Sequence, residues 1–144
     1  MIVGLTSGCF DLVHYGHVLY LERCRKLCDK LIVGVDDDQM VAQWKGAERP
    51  IIPELERLEM INNLACVDSA FLLHELGDLA RVVRQFRVDK VFKHQGFAKL
   101  DHVVGVDDTD AELVIVPDVP GLVSTSEIIS RIRQRYGSLR DSEV

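Results

Sequence analysis

Several features are scarce in this 144-residue chain, and each scarcity removes a class of function. No apolar run approaches the ~18 residues of a membrane span, and no signal-peptide pattern precedes the first apolar stretch. The expectation is a cytoplasmic chain with no membrane partner. Cysteines are few, Cys9, Cys24, Cys28 and Cys66, and none has zinc-type spacing. Cys24 and Cys28, one helical turn apart, read as small core residues, so no metal site is expected. Basic residues are outnumbered 17 to 23 by acidic ones, a net charge of −6, which argues against nucleic acid as a partner. A phosphorylated small molecule held by a few focused cations stays open. No serine, threonine or cysteine stands beside a base that would activate it, so covalent catalysis has little support.

What is present is ordinary globular material, 47% hydrophobic and 28% charged. The length suits one domain, residues 1–136, with 137–144 as a frayed tail.

The chain is organised around Ser7 to Val35. Val3 and Leu5 begin a short buried strand that runs into a Gly-containing turn. His14-Tyr15-Gly16-His17 follows, and from Val18 the apolar residues take helical spacing at Val18, Leu21, Cys24 and Leu27. Both imidazoles thus stand where a loop enters a helix, where unpaired backbone N–H groups and the helix dipole favour an anion. Imidazoles can give phosphate oxygens directed hydrogen bonds and can change charge near neutral pH. Gly16 leaves room for a phosphate between them.

Beyond this, apolar runs and amphipathic stretches alternate. Strands are expected at Leu31–Val35, Ser69–Leu73, Lys90–Lys93 and Leu113–Val116, and helices at Gln39–Gln43, Glu54–Leu64, Gly77–Phe86 and from Ser124. Asp36-Asp37-Asp38 reads as a helix cap rather than a metal cluster. Trp44 to Pro53 reads as a loop and Leu58, Ile61 and Leu64 as a buried helix face, while 98–110 has no clear pattern. This alternation predicts an α/β Rossmann-like doubly wound parallel sheet of about five strands, with helices on both faces. Ligands in such folds bind beyond the carboxyl ends of the strands.

Gly8-Cys9-Phe10-Asp11 with His14-Tyr15-Gly16-His17 resembles the G-[TC]-[FY]-D-x-x-H-x-G-H signature of the cytidylyltransferase-like nucleotidyltransferases. Lys45-Gly46-x-x-Arg49-Pro50 followed by Arg57 resembles an element of heptose-phosphate and FMN adenylyltransferases. Gly121-Leu122-Val123-Ser124-Thr125-Ser126 is similar to the family's G-[IC]-S-T-[TS] turn, with one residue more. The resemblance covers residues 3–133 and implies transfer of a nucleoside monophosphate from a nucleoside triphosphate to a phosphorylated small molecule such as a sugar phosphate, with loss of pyrophosphate.

By that resemblance His14, His17 and Lys45 are catalytic. Gly8, Cys9, Phe10, Asp11, Arg57, Gly96, Gly121, Ser124, Thr125 and Ser126 bind the nucleotide. Lys45 also meets the acceptor, Mg²⁺ arrives on the triphosphate, and the chain is expected to be a homodimer. Lys93-His94-Gln95-Gly96-Phe97 departs from the family's [KM]-G-x-D turn, and there Lys93, His94 and Lys99 are expected to add positive charge for an anionic acceptor. A solvated Lys45 and a surface Arg57 are the structural alternatives. The missing arginine at Asp118-Val119-Pro120-Gly121 and the Lys-Gly-x-x-Arg-Pro loop favour ATP. His-Tyr-Gly-His and Leu-Ile-Val-Gly-Val favour CTP and ethanolamine-phosphate enzymes. Rival readings are a glycerol-3-phosphate or phospho-alcohol cytidylyltransferase, an FMN adenylyltransferase, a nucleotide-binding module without turnover, and a class I tRNA synthetase fragment.

Overall fold

The protein is described by a computed structural model covering residues 1–99 and 102–143. Its elements in chain order are β1 (Val3–Gly8), α1 (Tyr15–Arg25), β2 (Lys30–Asp36), α2 (Asp38–Lys45), α3 (Glu54–Asn62), β3 (Ser69–Leu73), α4 (Gly77–Gln85), β4 (Lys90–His94), β5 (Glu112–Val116) and α5 (Thr125–Tyr136). The five strands among the described residues form one parallel sheet in the order β3-β2-β1-β4-β5. The order reverses between β1 and β4, so the loops leaving these two strands diverge and open a crevice between them.

Alternation along the strands divides the core in two. Leu31, Val33 and Val35 of β2 and Phe92 of β4 pack with Leu21 and Cys24 of α1 and Ile61 of α3. Leu5, Ile32 and Val91 point the other way, onto Met40 of α2 and Leu79, Val82 and Val83 of α4. The doubly wound expectation holds, with the strands within a residue or two of where the pattern put them.

Several local expectations change. Helix α1 starts at Tyr15, not Val18, because His14 supplies an N-cap that the apolar spacing does not reveal. It ends at Arg25, so Leu27 is solvent-exposed and Cys28 lies past the helix. Cys28 is nonetheless buried, its thiol donating to the Cys24 carbonyl at 3.4 Å. Helix α2 runs on to Lys45, which places Trp44 and Lys45 in its last turn, with the loop beginning at Gly46. Helix α3 ends at Asn62, short of the expected Leu64; its fully buried positions are Arg57 and Ile61, while Leu58 on it and Leu64 past its end pack partly buried against the first cluster. Asp37 accepts from the Met40 amide at 2.8 Å and caps α2 as expected. Within the unpatterned stretch Leu100 and Asp101 lie outside the described residues, as does Val144 of the expected tail, of which Asp141–Glu143 form a 3₁₀ turn.

Candidate active site

A cleft of about 1010 Å³ opens over the carboxyl ends of the strands, room enough for a nucleotide and a second small molecule. Its floor is the loop after β1. Phe10 and Leu12 both adopt φ near +51°, a left-handed conformation that side-chain-bearing residues seldom take. What holds them is Asp11 between them. Its buried carboxylate accepts from the Ile51 amide at 2.7 Å and the Ile52 amide at 2.9 Å, tying the β1–α1 loop to the loop after α2. The Asp11 carbonyl accepts the Thr125 hydroxyl at 3.0 Å, which adds the start of α5 to the same joint.

The two histidines are held by the backbone. His14 caps α1, its Nδ1 accepting from the Gly16 amide at 3.1 Å. His17 Nδ1 accepts in turn from the His14 amide at 3.3 Å. An amide N–H can only donate, so each Nδ1 carries the lone pair and each ring bears its proton on Nε2. The rings stack with centroids 3.9 Å apart, and Phe10 packs edge-on against His17. Burial, then the neighbouring His14 ring, pushes His17 down to about 4, and burial also lowers His14. Both are therefore neutral at pH 7. The sequence-based expectation of a charge change near neutral pH is corrected, because protonating Nδ1 would aim it at an N–H donor. Glycine at position 16 also leaves the His14 ring its place: a Cβ there would meet that ring at 2.9 Å.

The device recurs on β4. His94 Nδ1 accepts from the Gly96 amide at 3.1 Å, so His94-Gln95-Gly96 repeats the geometry of His14-Tyr15-Gly16 at the neighbouring strand end.

On the far wall Ser124 caps α5, accepting from the Glu127 amide at 3.1 Å, so the helix begins beside the expected position. Ser124, Thr125 and Ser126 line the cleft, so the start of α5, whose first amides have no acceptor in a preceding turn, borders it. Arg49 spans from this corner to the floor, 3.5 Å from the Ser126 hydroxyl and 4.0 Å from the Asp11 carboxylate.

Most of the expected site residues therefore converge. Gly8, Cys9, Phe10, Asp11, His14, His17, Lys45, Lys93, His94, Ser124, Thr125 and Ser126 all line the cleft. Arg57 does not, and its expected contact with the triphosphate is corrected. It is 1% exposed, and its guanidinium donates to the Ile52 carbonyl at 2.8 Å, to the Cys9 carbonyl and to Asp38 at 3.0 Å. It braces the floor from behind. The Asp11 carboxylate is similarly occupied by protein amides, and Gly96 and Gly121 lie outside the cleft lining. Gly121 has φ +87° and serves to turn the chain before α5.

Sequence reasoning left Asp36 and Arg49 out of the site. Asp36 was absorbed into a capping triplet, and only the register of β2 sets it apart from Asp37 and Asp38. Arg49 stands in the loop after the second strand as part of the Lys45–Pro50 motif, which by itself assigns it no role.

Comparison with known proteins places these features. The cytidylyltransferase-like family model matches residues 5–131. The chain is 41% identical over 138 residues to the bifunctional protein HldE of Desulfatibacillum aliphaticivorans, covering 92% of this chain and 27% of that one. To the bifunctional protein HldE of Halorhodospira halophila it is 37% identical over 134 residues, covering 91% and 28%. It thus spans only 27–28% of the length of these curated relatives. Among solved structures, the lipopolysaccharide core biosynthesis protein from Thermoplasma volcanium superposes with a TM-score of 0.64 at 31% identity, over 83% of this chain and 97% of that one. Pantothenate synthetase from Thermus thermophilus, at TM-score 0.57 and 18% identity over 83% and 56% of the two chains, shares the fold.

Proposed function

The chain belongs to the cytidylyltransferase-like family, and from that premise we propose that it is a nucleotidyltransferase moving a nucleoside monophosphate from ATP to a sugar phosphate. The observation that carries this reading is the pair of neutral Nε2–H donors fixed by backbone amides beside the open start of α5. Such a pair has no proton to take and no nucleophile to activate; what it can do is hold phosphate oxygens.

The reaction needs little else. An oxygen of the acceptor's phosphate, already anionic, attacks the α-phosphorus in line. The bond from the α-phosphorus to the bridging oxygen breaks, and pyrophosphate leaves with its electrons. His14 and His17 donate to α- and β-phosphate oxygens as charge moves toward the leaving group. Lys45, at the end of α2, offsets the repulsion between the meeting anions. Arg49 and the first amides of α5 steady the outer phosphates.

Mg²⁺ carried on the triphosphate suits this donor set, since it takes few protein ligands, and among the described residues no three His, Cys, Asp or Glu side chains form a cage. When bound it neutralises phosphate charge. ATP is favoured over CTP by the likeness of the Lys45–Pro50 loop to adenylyl-transferring enzymes, and a sugar phosphate by the lipopolysaccharide-core name of the structural relative. The family likeness also supports a cytoplasmic homodimer. Among the described residues no helix is long and apolar enough to cross a membrane.

Incubation with ATP labelled at the α-phosphate, Mg²⁺ and a panel of sugar phosphates tests the proposal. The label is expected in a nucleoside diphosphate sugar, with one pyrophosphate released per product. Label recovered only in AMP or unreacted ATP across the panel contradicts it.

A further inference from the structure

The sheet face that packs on α2 and α4 is apolar through its middle, at Leu5, Ile32 and Val91, and turns polar at the last inward position of each of its three central strands. In β1, Leu5 is followed on that face by Ser7; in β2, Ile32 is followed by Gly34 and then Asp36; in β4, Val91 is followed by Lys93. All three polar side chains line the cleft. Asp36 and Lys93 are each only 8% exposed. Packing does not require this row. Burying an ammonium and a carboxylate is costly, and apolar residues of like size fill such positions as well or better.

The row has a definite hydrogen-bonding character. Lys93 Nζ donates to the Ser7 hydroxyl at 3.3 Å. The Asp36 carboxylate receives a weak donor, the Cys9 thiol, at 3.5 Å, and retains accepting capacity toward the cleft. Lys93 and Asp36 also feel each other's charge, each favouring the ionised form of the other against burial. Taken together the row is neutral, and it offers an acceptor, a donor and a hydroxyl within one wall. It lies across the ends of β2, β1 and β4 on the sheet face that packs on α2 and α4, away from the α1–α5 corner that suits the triphosphate.

We propose that Asp36, Lys93 and Ser7 form the subsite that reads the acceptor's hydroxyl groups, so that a neutral polyhydroxylated phosphate is selected over a cationic phospho-alcohol. Each hydroxyl of a sugar both donates and accepts, which matches a carboxylate beside an ammonium. A cationic head would satisfy Asp36 but meet Lys93. An alkyl head would leave both charges buried without new partners, the situation in which hydroxyl-reading sites reject their analogues most strongly. This assignment rests on the nucleotidyltransferase reading and adds to it the residues that choose the acceptor.

The test is calorimetric titration of glucose 1-phosphate, glycerol 3-phosphate and phosphoethanolamine into the whole chain saturated with Mg²⁺ and a non-hydrolysable ATP analogue. The affinity of the analogue is measured in the same samples. Glucose 1-phosphate is expected to bind at least about tenfold more tightly than phosphoethanolamine. Asp36→Ala should abolish that preference while the analogue's affinity stays within about twofold. Asp36→Asn, which keeps the shape and one accepting oxygen, should lie between them and guards against a variant that fails to fold. Equal or better binding of phosphoethanolamine, or no binding of any acceptor, overturns the inference. So does a loss in Asp36→Ala that falls on the analogue, which would assign the carboxylate to the ribose. Failure of the analogue to bind the unmodified chain would instead remove the nucleotide reading beneath it.

Discussion

At the α1–α5 corner the groups that face the cleft are set by the main chain: His14 and His17 by amides of their own turn, Ser124 by the Glu127 amide and Thr125 by the Asp11 carbonyl. At the β2–β1–β4 end, Asp36, Lys93 and Ser7 are set by strand register and touch one another or the Cys9 thiol. The first arrangement fixes tautomer and direction, as a group that must meet developing charge requires. The second fixes only position and sign, which is enough to choose among ground-state ligands. On the proposed reading, chemistry and selection sit on different kinds of support within one cavity.

The largest effect separates these roles at the corner itself. An asparagine at position 14 or 17 keeps an oxygen for the capping amide but loses the outward Nε2–H. His14→Asn and His17→Asn should each lower kcat on the order of 10²–10³-fold with thermal stability nearly unchanged. Turnover near that of the unmodified chain in both would remove the histidines from the chemistry.

Next comes the contrast between two cations near the floor. Arg57 lies behind it with three protein acceptors, so Arg57→Ala should cost about 3 kcal/mol and lower Tm by roughly 10 °C. Lys45 is exposed and lines the cleft. Lys45→Ala should cost less than about 0.5 kcal/mol yet remove most turnover. Calorimetry and steady-state kinetics on the pair would show whether brace and catalyst have been assigned the right way round.

A similar size of effect is expected in acid. His17 is held at about 4 in the folded chain, against the ordinary 6.5, by burial and by the His14 ring. Between those values the unfolded chain binds a proton that the folded chain refuses. Its contribution is therefore complete above about pH 6.5 and is lost as pH falls toward 4, by up to roughly 3 kcal/mol. Unfolding of the unmodified chain should consequently steepen over that window relative to His17→Asn. Parallel pH profiles would contradict the burial-driven shift.

The smallest effect concerns the base. ATP should bind more tightly than CTP by about tenfold, roughly 1.4 kcal/mol, in titrations with Mg²⁺. Equal or tighter binding of CTP would promote the cytidylyl-transfer reading.

How much of this was legible in the sequence follows the same division. The corner could be read because its chemistry is local: His14, Gly16 and His17 lie within one turn, and Ser124 stands three residues from Glu127. The strand alternation was equally local, and the sheet came out as expected. Arg57 was misplaced because its partners, Cys9 and Asp38, are distant in the chain, and an arginine on an amphipathic helix carries no mark of facing inward. Asp36 was hidden among three aspartates until the register of β2 turned it to the same face as Ile32. Cys28 and Leu27 show a smaller failure of the same kind. Apolar spacing continued past Arg25 after the helix had ended, because a spacing pattern contains no stop signal when glycine and proline are missing there.

The proposed chemistry turns on the protonation of the two imidazoles, and ¹⁵N NMR of the ring nitrogens at pH 7 observes it directly. His14 and His17 should each show an unprotonated Nδ1 and a protonated Nε2, with His17 keeping that state well below pH 6. A doubly protonated ring at pH 7, or a proton on Nδ1 of either residue, would contradict the backbone-fixed donor pair on which the proposed chemistry is built.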